Sequence, residues 1–386
     1  MSAAAEQAGQ VKRVVVVGNG IAGLTAADTL RGTGFDGELT IVGDESHAAY
    51  SRPALSKALL HDGDDLSHEL PSPTHGATEL LGVRATGLDL ERRRVALDDG
   101  TDLSYDRLVI ATGSRARRLS DLPEEVTLRG LDDALALRRR LADKPSVIVV
   151  GGGPLGMEIA SGCLAAGSTV TVVSQGVPLV LQLGPHLADV FTAAGRERGL
   201  TVVETELARL ERSAEGYAAR VVLDDGTVLE ADLVVTAVGD VPNTEWLASS
   251  GLVSQGGPLT VDSRGLVRPD IAVAGDLAAF PTPHGTRRIP LWSSAIEQSK
   301  VAAAALIQGQ EAPTLQFQPY FWTEQFGLSL KAVGYLPVVG APAYVDGGPD
   351  GPALMRWAHG DGTAVAAALN YRIPIPRLRR VTQQAA

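Results

Sequence analysis

Residues 14–23 read VVVVGNGIAG. Four consecutive valines predict a strand buried on both faces, as in a parallel sheet. Gly18-Asn19-Gly20-Ile21-Ala22-Gly23 then follows the spacing G-x-G-x-x-G, and Leu24 to Leu30 continues as a helix. Gly18 permits a tight turn, Gly20 lets a pyrophosphate approach the backbone, and Gly23 lets the helix pack on the strand. A phosphate in this turn, cradled with Ile21 and Ala22, faces the positive end of the helix.

The pattern recurs. Residues 146–174, SVIVVGGGPLGMEIASGCLAAGSTVTVVS, repeat the strand, the glycine turn and the helix. Gly151, Gly153 and Gly156 take the three glycine places, with Pro154 and Leu155 between the last two. One such turn is a weak signal, because glycine-rich turns are common in α/β folds. Two, each between a strand and a helix, predict a protein that binds two dinucleotides: FAD, and NADH or NADPH.

The chain has 386 residues, enough for two or three domains. A net charge of −11 argues against nucleic-acid binding. No apolar run reaches the ~18 residues of a membrane span. The N-terminal MSAAAEQAGQ has neither the basic start nor the apolar core of a secretory signal, so the expected location is cytoplasmic. The single cysteine, Cys163, lies among Ile159, Ala160 and Leu164 and reads as a buried small residue. One thiol cannot form the cysteine pair of a disulfide-reducing flavoenzyme, so electrons must leave a flavin by another route.

After the first helix, Glu38 to Val42 reads as a second strand, ending at Gly43-Asp44-Glu45. An acid there either accepts from adenosine ribose hydroxyls or is a solvated turn residue. In the following YSRPALSK loop, residues 50–57, Arg52 can clamp a pyrophosphate and Lys57 can stabilise charge beside a flavin. His61, His68 and His75 lie in a polar, Pro-rich stretch without metal-ligand spacing, so solvent exposure and no metal site are expected. Val83 to Leu97 predicts a hairpin with Asp98-Asp99-Gly100 as its turn. Leu108 to Gly113 reads as a buried strand ending in Ala111-Thr112-Gly113, with Arg115, Arg117 and Arg118 after it. Val221 to Leu229, turning at Asp224-Asp225-Gly226, mirrors the earlier hairpin, and the strand before Gly239 mirrors the one before Gly113. The two halves thus read as copies of one βαβ-plus-hairpin unit. Ile271 to Asp276 is a strand ending in Gly275-Asp276; Trp292 opens a helix through Leu306. Tyr320, Phe321, Trp322 and Phe326 concentrate aromatics in seven residues of a chain that is 4% aromatic, and Trp322 is a candidate to shield a flavin edge.

This order of motifs resembles the flavin-dependent ferredoxin reductases that serve cytochromes P450 and aromatic-ring dioxygenases. That family has Tyr-x-Arg-Pro-Pro-Leu-Ser-Lys in the loop, where this chain has Ala54 for the second Pro. The resemblance spans about residues 12–380. It implies two Rossmann-like, glutathione-reductase-like domains of α/β class and a C-terminal α+β interface domain. FAD is then expected on 1–115 with 246–312, NAD(P)H on 116–245, and the interface domain on 313–386. It further implies that Ala111-Thr112-Gly113 closes over FAD, that Asp276 accepts from its ribityl chain, and that Glu158 pairs with Lys57 at the flavin–nicotinamide contact. Residues 320–327 match the family's interface segment, and Arg377, Arg379 and Arg380 form a basic tail able to steer a small acidic [2Fe–2S] ferredoxin toward a monomer or weak dimer.

Two positions depart from the pattern. Ser174 stands at the end of the second nucleotide strand, where NADH sites carry an acid and NADPH sites an arginine nearby. Pro290-Leu291 precede Trp292 where the family has Glu-His. The nicotinamide preference stays open on these residues. So do three other activities: a flavin-dependent tailoring oxidoreductase acting on a small molecule, an NAD(P)H oxidase or peroxidase, and a nicotinamide-responsive module resembling apoptosis-inducing factor. The oxidase lacks its usual cysteine near the Leu-Ser-Lys loop.

Overall fold

The structure is a computed structural model that describes residues 11–57, 60, 68–212, 219–253, 256–359 and 362–383. Its packing divides into two compact units. One comprises Met1–Tyr50, Glu69–Arg115 and Val241–Phe317; the other comprises Ser51–His68, Ala116–Asp240 and Gln318–Ala386.

The first unit is built on strand Arg13–Val17, whose four valines are each at most 3% exposed. β-Branched side chains suit a strand that is covered on both faces. It lies between parallel strands Glu38–Gly43 and Arg107–Ile110, with Val17 opposite Val42 on one side and Ile110 on the other. Thr78–Leu81, Ile271–Val273 and the antiparallel Leu266–Arg268 complete six strands. Helix Ile21–Gly32 buries Ala22, Ala26, Ala27 and Leu30. In the same apolar cluster, helix Trp292–Gln308 presents Ala295, Ala302, Ala303 and Leu306. Small side chains on both surfaces let the two helices approach closely.

The second unit repeats the scheme. Strand Ser146–Val150 lies between Thr169–Ser174 and Leu233–Thr236, all parallel, with Thr201–Glu204 and Glu125–Thr127 at the edges. The same unit contains a five-stranded antiparallel sheet in the order Tyr320–Gln325, Leu328–Val333, Ala364–Leu369, Ala353–Ala358, Ala343–Gly347. Helix Ile375–Thr382 packs on it through Leu378 and Val381. Arg377, Arg379 and Arg380, the basic tail of the sequence, sit on this helix.

The expected hairpins are three-stranded meanders. Ala85–Asp89 pairs with Arg94–Leu97, which pairs with Asp102–Ser104. Asp98-Asp99-Gly100 joins the second and third strands, with Gly100 at φ +85°. The first turn, at 90–93, has no glycine; Arg93 takes the left-handed conformation itself, at φ 51°. Residues Ala208–Glu211, Ala219–Leu223 and Val228–Ala231 form the counterpart, again with a glycine, Gly226, at φ +85°.

His75 corrects the expectation of solvent exposure: it is 3% exposed. Its Nδ1 accepts the Ala77 N–H at 3.0 Å, and its carbonyl accepts from Arg31 Nε at 2.8 Å. Chain-level polarity did not show that this one residue folds back. His68 is partly buried, and His61 lies outside the described residues.

Candidate functional site

The two glycine turns solve one steric problem in the same way. Gly18 has φ +117° and Gly151 φ +120°. A Cβ on Gly18 would lie 2.1 Å from the Ala111 carbonyl oxygen; one on Gly151, 2.3 Å from that of Ala237. On Gly23 or Gly156 it would lie 1.9 Å from the oxygen of Gly18 or Gly151 respectively. These four glycines bring strand, turn and helix backbones into contact. The middle glycines differ: a Cβ on Gly20 would meet nothing within 4 Å, and one on Gly153 only Gln182 Nε2, at 3.9 Å. That open space lies at helix N-termini without a side-chain cap, where backbone N–H groups await an acceptor.

In the first unit, Ala111, Thr112 and Gly113 flank this turn. Thr112 Oγ1 donates to the Asn243 carbonyl at 2.8 Å, and Asn243 Nδ2 returns a bond to the Thr112 carbonyl at 3.0 Å. Gly275 sits at φ +88°, and its N–H is held by Gln298 Oε1 at 2.9 Å. Ser114 Oγ donates to Asp276 at 3.3 Å. Asp44 is exposed, with Arg84 at 3.8 Å, whereas Glu45 accepts from the Tyr50 hydroxyl at 2.5 Å. Trp292 opens its helix, which also lacks a side-chain cap; two residues on, Ser294 Oγ is buried without a hydrogen-bond partner. Asn19 Nδ2 bonds Glu79 at 3.1 Å, while its Oδ1 is buried and unpartnered. The open Gly20, the uncapped N–H groups and this orphaned acceptor fit a dinucleotide.

In the second unit, Ser174 is buried against the glycine turn. A Cβ on Gly152 would lie 2.1 Å from Ser174 Oγ. Thr205 donates its N–H to the Ser174 carbonyl, and Gln175 Nε2 bonds the Glu206 carbonyl at 2.7 Å. The residue beside Ser174 on the adjoining strand is Glu204. Gly239 follows the strand that roofs the turn; its carbonyl accepts the Arg117 N–H at 3.0 Å, and Arg117 Nη2 bonds the Asp240 carbonyl at 3.3 Å.

That roof strand is anchored by a buried acid the sequence did not mark. Glu125 accepts from Thr236 Oγ1 at 2.6 Å and from Leu119 N–H, Ser120 N–H and Ser120 Oγ at 2.8 Å each. Burial pushes its pKa up, but these donors outweigh burial and hold the carboxyl below the ordinary glutamate range. A depressed folded-state pKa gives stability that is present above the unfolded value of ~4.3 and is lost as pH falls through the folded value. Glu125→Gln is expected to cost about 2 kcal/mol at neutral pH and to lose less on acidification than the parent. Thermal melts between pH 7 and about 3 check this; parallel curves contradict it.

A second buried polar cluster also lies in the second unit. Lys57 Nζ lies 2.9 Å from Glu158 Oε2, with side chains only 15% and 7% exposed. Ser56 Oγ donates to the same Glu158 oxygen, and Thr323 Oγ1 donates to Oε1 at 2.6 Å. Lys57 Nζ also bonds the Pro53 carbonyl at 3.2 Å. The expected Lys57–Glu158 pair is thus formed. The sequence does not mark Ser56 or Thr323 as its partners, although the first lies in the 50–57 loop and the second in the 320–327 segment. Arg52 Nη1 donates to the Arg129 carbonyl at 2.9 Å. Trp322 stacks on Tyr320, with centroids 5.7 Å apart. Cys163 is fully buried, and burial pushes its thiol up to about 12.

Residues 12–299 match the family described as pyridine nucleotide-disulphide oxidoreductase. The biphenyl dioxygenase system ferredoxin–NAD(+) reductase component of Paraburkholderia xenovorans (strain LB400) is 33% identical over 334 residues, covering 84% of this chain and 81% of that one. Rhodocoxin reductase of Rhodococcus erythropolis is 35% identical over 335 residues, covering 83% and 78%. Among solved structures, the covalent putidaredoxin reductase–putidaredoxin complex aligns with a TM-score of 0.84 at 29% identity, over 96% of this chain and 92% of that one.

Proposed function

The chain belongs to the pyridine nucleotide-disulphide oxidoreductase family, and within it we propose an NADH-dependent, FAD-containing ferredoxin reductase supplying a P450 or an oxygenase. The observation that carries this reading is the pairing of two dinucleotide turns with a lone, buried cysteine. With one thiol the chain has no dithiol to relay electrons, so they leave a bound flavin by another route. The relatives named for ferredoxin reduction support the same acceptor. Bound FAD would take electrons from the nicotinamide in pairs and release them singly.

The chain's own residues divide the work. The Gly18–Gly23 turn and the N–H groups of its helix hold the FAD pyrophosphate, with Asp44 or Glu45 toward the ribose; Arg52, in the other unit, gives its guanidinium to the Arg129 carbonyl. Ala111-Thr112-Gly113, Gly275, Asp276 and the N-terminus of the Trp292 helix orient the remainder. Gly151, Gly153 and Gly156 hold the nicotinamide dinucleotide, with Arg117 and Gly239 beside that turn. Lys57, held by Glu158, supplies positive charge at the transfer step, and Trp322 with the arginines of the last helix serves a small acidic [2Fe–2S] partner. The division into FAD, nicotinamide and interface domains belongs to this reading, as do a cytoplasmic location and a monomer or weak dimer. Among the described residues, no helix is long and apolar enough to cross a membrane.

NADH is the favoured donor. A 2′-phosphate at Ser174 would meet Glu204 on the adjoining strand, and the sequence has no Lys or Arg from 175 to 195. Ser174→Arg is expected to lower the KM for NADPH at least tenfold and to raise that for NADH. Steady-state kinetics with both donors check this. The activity itself is tested by NADH-dependent cytochrome c reduction with and without a [2Fe–2S] ferredoxin. Strong stimulation supports the reading; none supports a small-molecule acceptor.

A further inference from the structure

Strand Tyr320–Gln325 and the residue after it are tied to helix Pro154–Ala165 at two points. Thr323 Oγ1 donates to Glu158 Oε1 at 2.6 Å, and Phe326 N–H donates to Ser161 Oγ at 2.8 Å. Glu158 and Ser161 are three apart and share one helix face. Thr323 is fully buried. A threonine hydroxyl has one proton to give. Gln325 Nε2 donates to that oxygen at 3.1 Å, so its proton is free to go to Glu158. The carboxylate is thereby divided: Oε1 faces Thr323, while Oε2 takes Ser56 and Lys57. A carboxylate fixed at both oxygens has one rotamer, and the ammonium bonded to it has one position.

We propose that Thr323 is a positioning residue that sets the orientation of Glu158 and, through it, the placement of the Lys57 ammonium. The inference rests on the reading above, in which that ammonium serves electron transfer. A strand core position would be filled more cheaply by valine, since a buried hydroxyl must be matched by a partner. Here the partner is a buried carboxylate, and the two residues lie 165 apart in sequence. The aromatic segment that carries Trp322 is thus keyed to the nucleotide-binding helix by the same bond that orients Glu158.

The test uses the full-length, FAD-loaded protein and its Thr323→Val and Thr323→Ser variants. Anaerobic stopped-flow with NADH gives the limiting rate of flavin reduction and the NADH dissociation constant. Acetic anhydride labelling of Lys57, read by mass spectrometry, gives a measure independent of NADH. The valine variant is expected to lose about tenfold in limiting rate, the scale of one hydrogen bond to a charged group, with the dissociation constant within about twofold. Its Lys57 should label several-fold faster, and the serine variant should return both values to near the parent. Unchanged rate and labelling in the valine variant would overturn the proposal. So would a rate loss that serine does not restore. If labelling responds as expected while NADH fails to reduce even the parent, the positioning role stands and the reductase reading falls.

Discussion

Glu158→Gln lowers the limiting rate of flavin reduction by NADH about 100-fold and leaves FAD bound. The carboxylate is 7% exposed and is the anionic partner of Lys57 at 2.9 Å. An amide keeps the shape but removes the charge, so the ammonium loses its counter-ion in a site with little water to replace it. One hydrogen bond to a charged group is worth about 1.5–3 kcal/mol, and each 1.36 kcal/mol is tenfold in rate. The converse change is costlier. Lys57→Met leaves a buried carboxylate without its cation, which typically destabilises by about 3–5 kcal/mol, and a clear fall in melting temperature is expected with the rate loss. Rapid-mixing kinetics, flavin content and thermal melts of both variants separate the two effects. A glutamine variant that reduces as fast as the parent contradicts the role given to the pair.

Gly23→Ala and Gly20→Ala, three residues apart, are expected to fail in different ways. A Cβ on Gly23 would stand 1.9 Å from the Gly18 carbonyl oxygen, backbone against backbone. Nothing flexible is there to move, so helix and strand must separate. Overpacking of this kind costs about 3 kcal/mol or more, a large share of the ~5–15 kcal/mol that holds a protein folded. Gly20 has φ −91°, which alanine adopts, and its Cβ would meet no protein atom within 4 Å. Gly20→Ala should therefore melt near the parent temperature. Its methyl group occupies the space assigned to the pyrophosphate, so FAD affinity should fall at least tenfold. Melting temperature and FAD dissociation, followed by flavin fluorescence, distinguish the cases. A Gly20→Ala protein that holds FAD as tightly as the parent places the phosphates elsewhere.

The parts of the fold that were readable from sequence are those with a local physical cause. The valine runs, the glycine spacing and the Asp-Asp-Gly turns each specify geometry within a few residues, and strand, turn and helix follow where expected. The turn at 90–93 was not readable, because Arg93 adopts the left-handed conformation without the glycine that signals it. Burial of His75 was hidden for a related reason: a polar, Pro-rich stretch reads as surface throughout. Site residues divide the same way. Lys57 and Glu158 were paired through a family resemblance, since nothing local links positions 101 apart. Thr323 and Ser56 stood in plain view inside recognised motifs. Their hydroxyls acquire meaning only when the chain folds a carboxylate against them. Glu125 carried no signal at all: its donors are two backbone N–H groups and two hydroxyls, one of them 111 residues away.

Anaerobic mixing of the purified protein with one equivalent of NADH, followed by oxidised [2Fe–2S] ferredoxin, tests the central claim most directly. The account predicts a yellow protein whose flavin absorbance bleaches with NADH and recovers as two ferredoxins are reduced per NADH consumed, because the donor gives electrons in pairs and the acceptor takes one. A preparation that stays colourless with added FAD, or a bleached flavin that leaves ferredoxin oxidised, would contradict it.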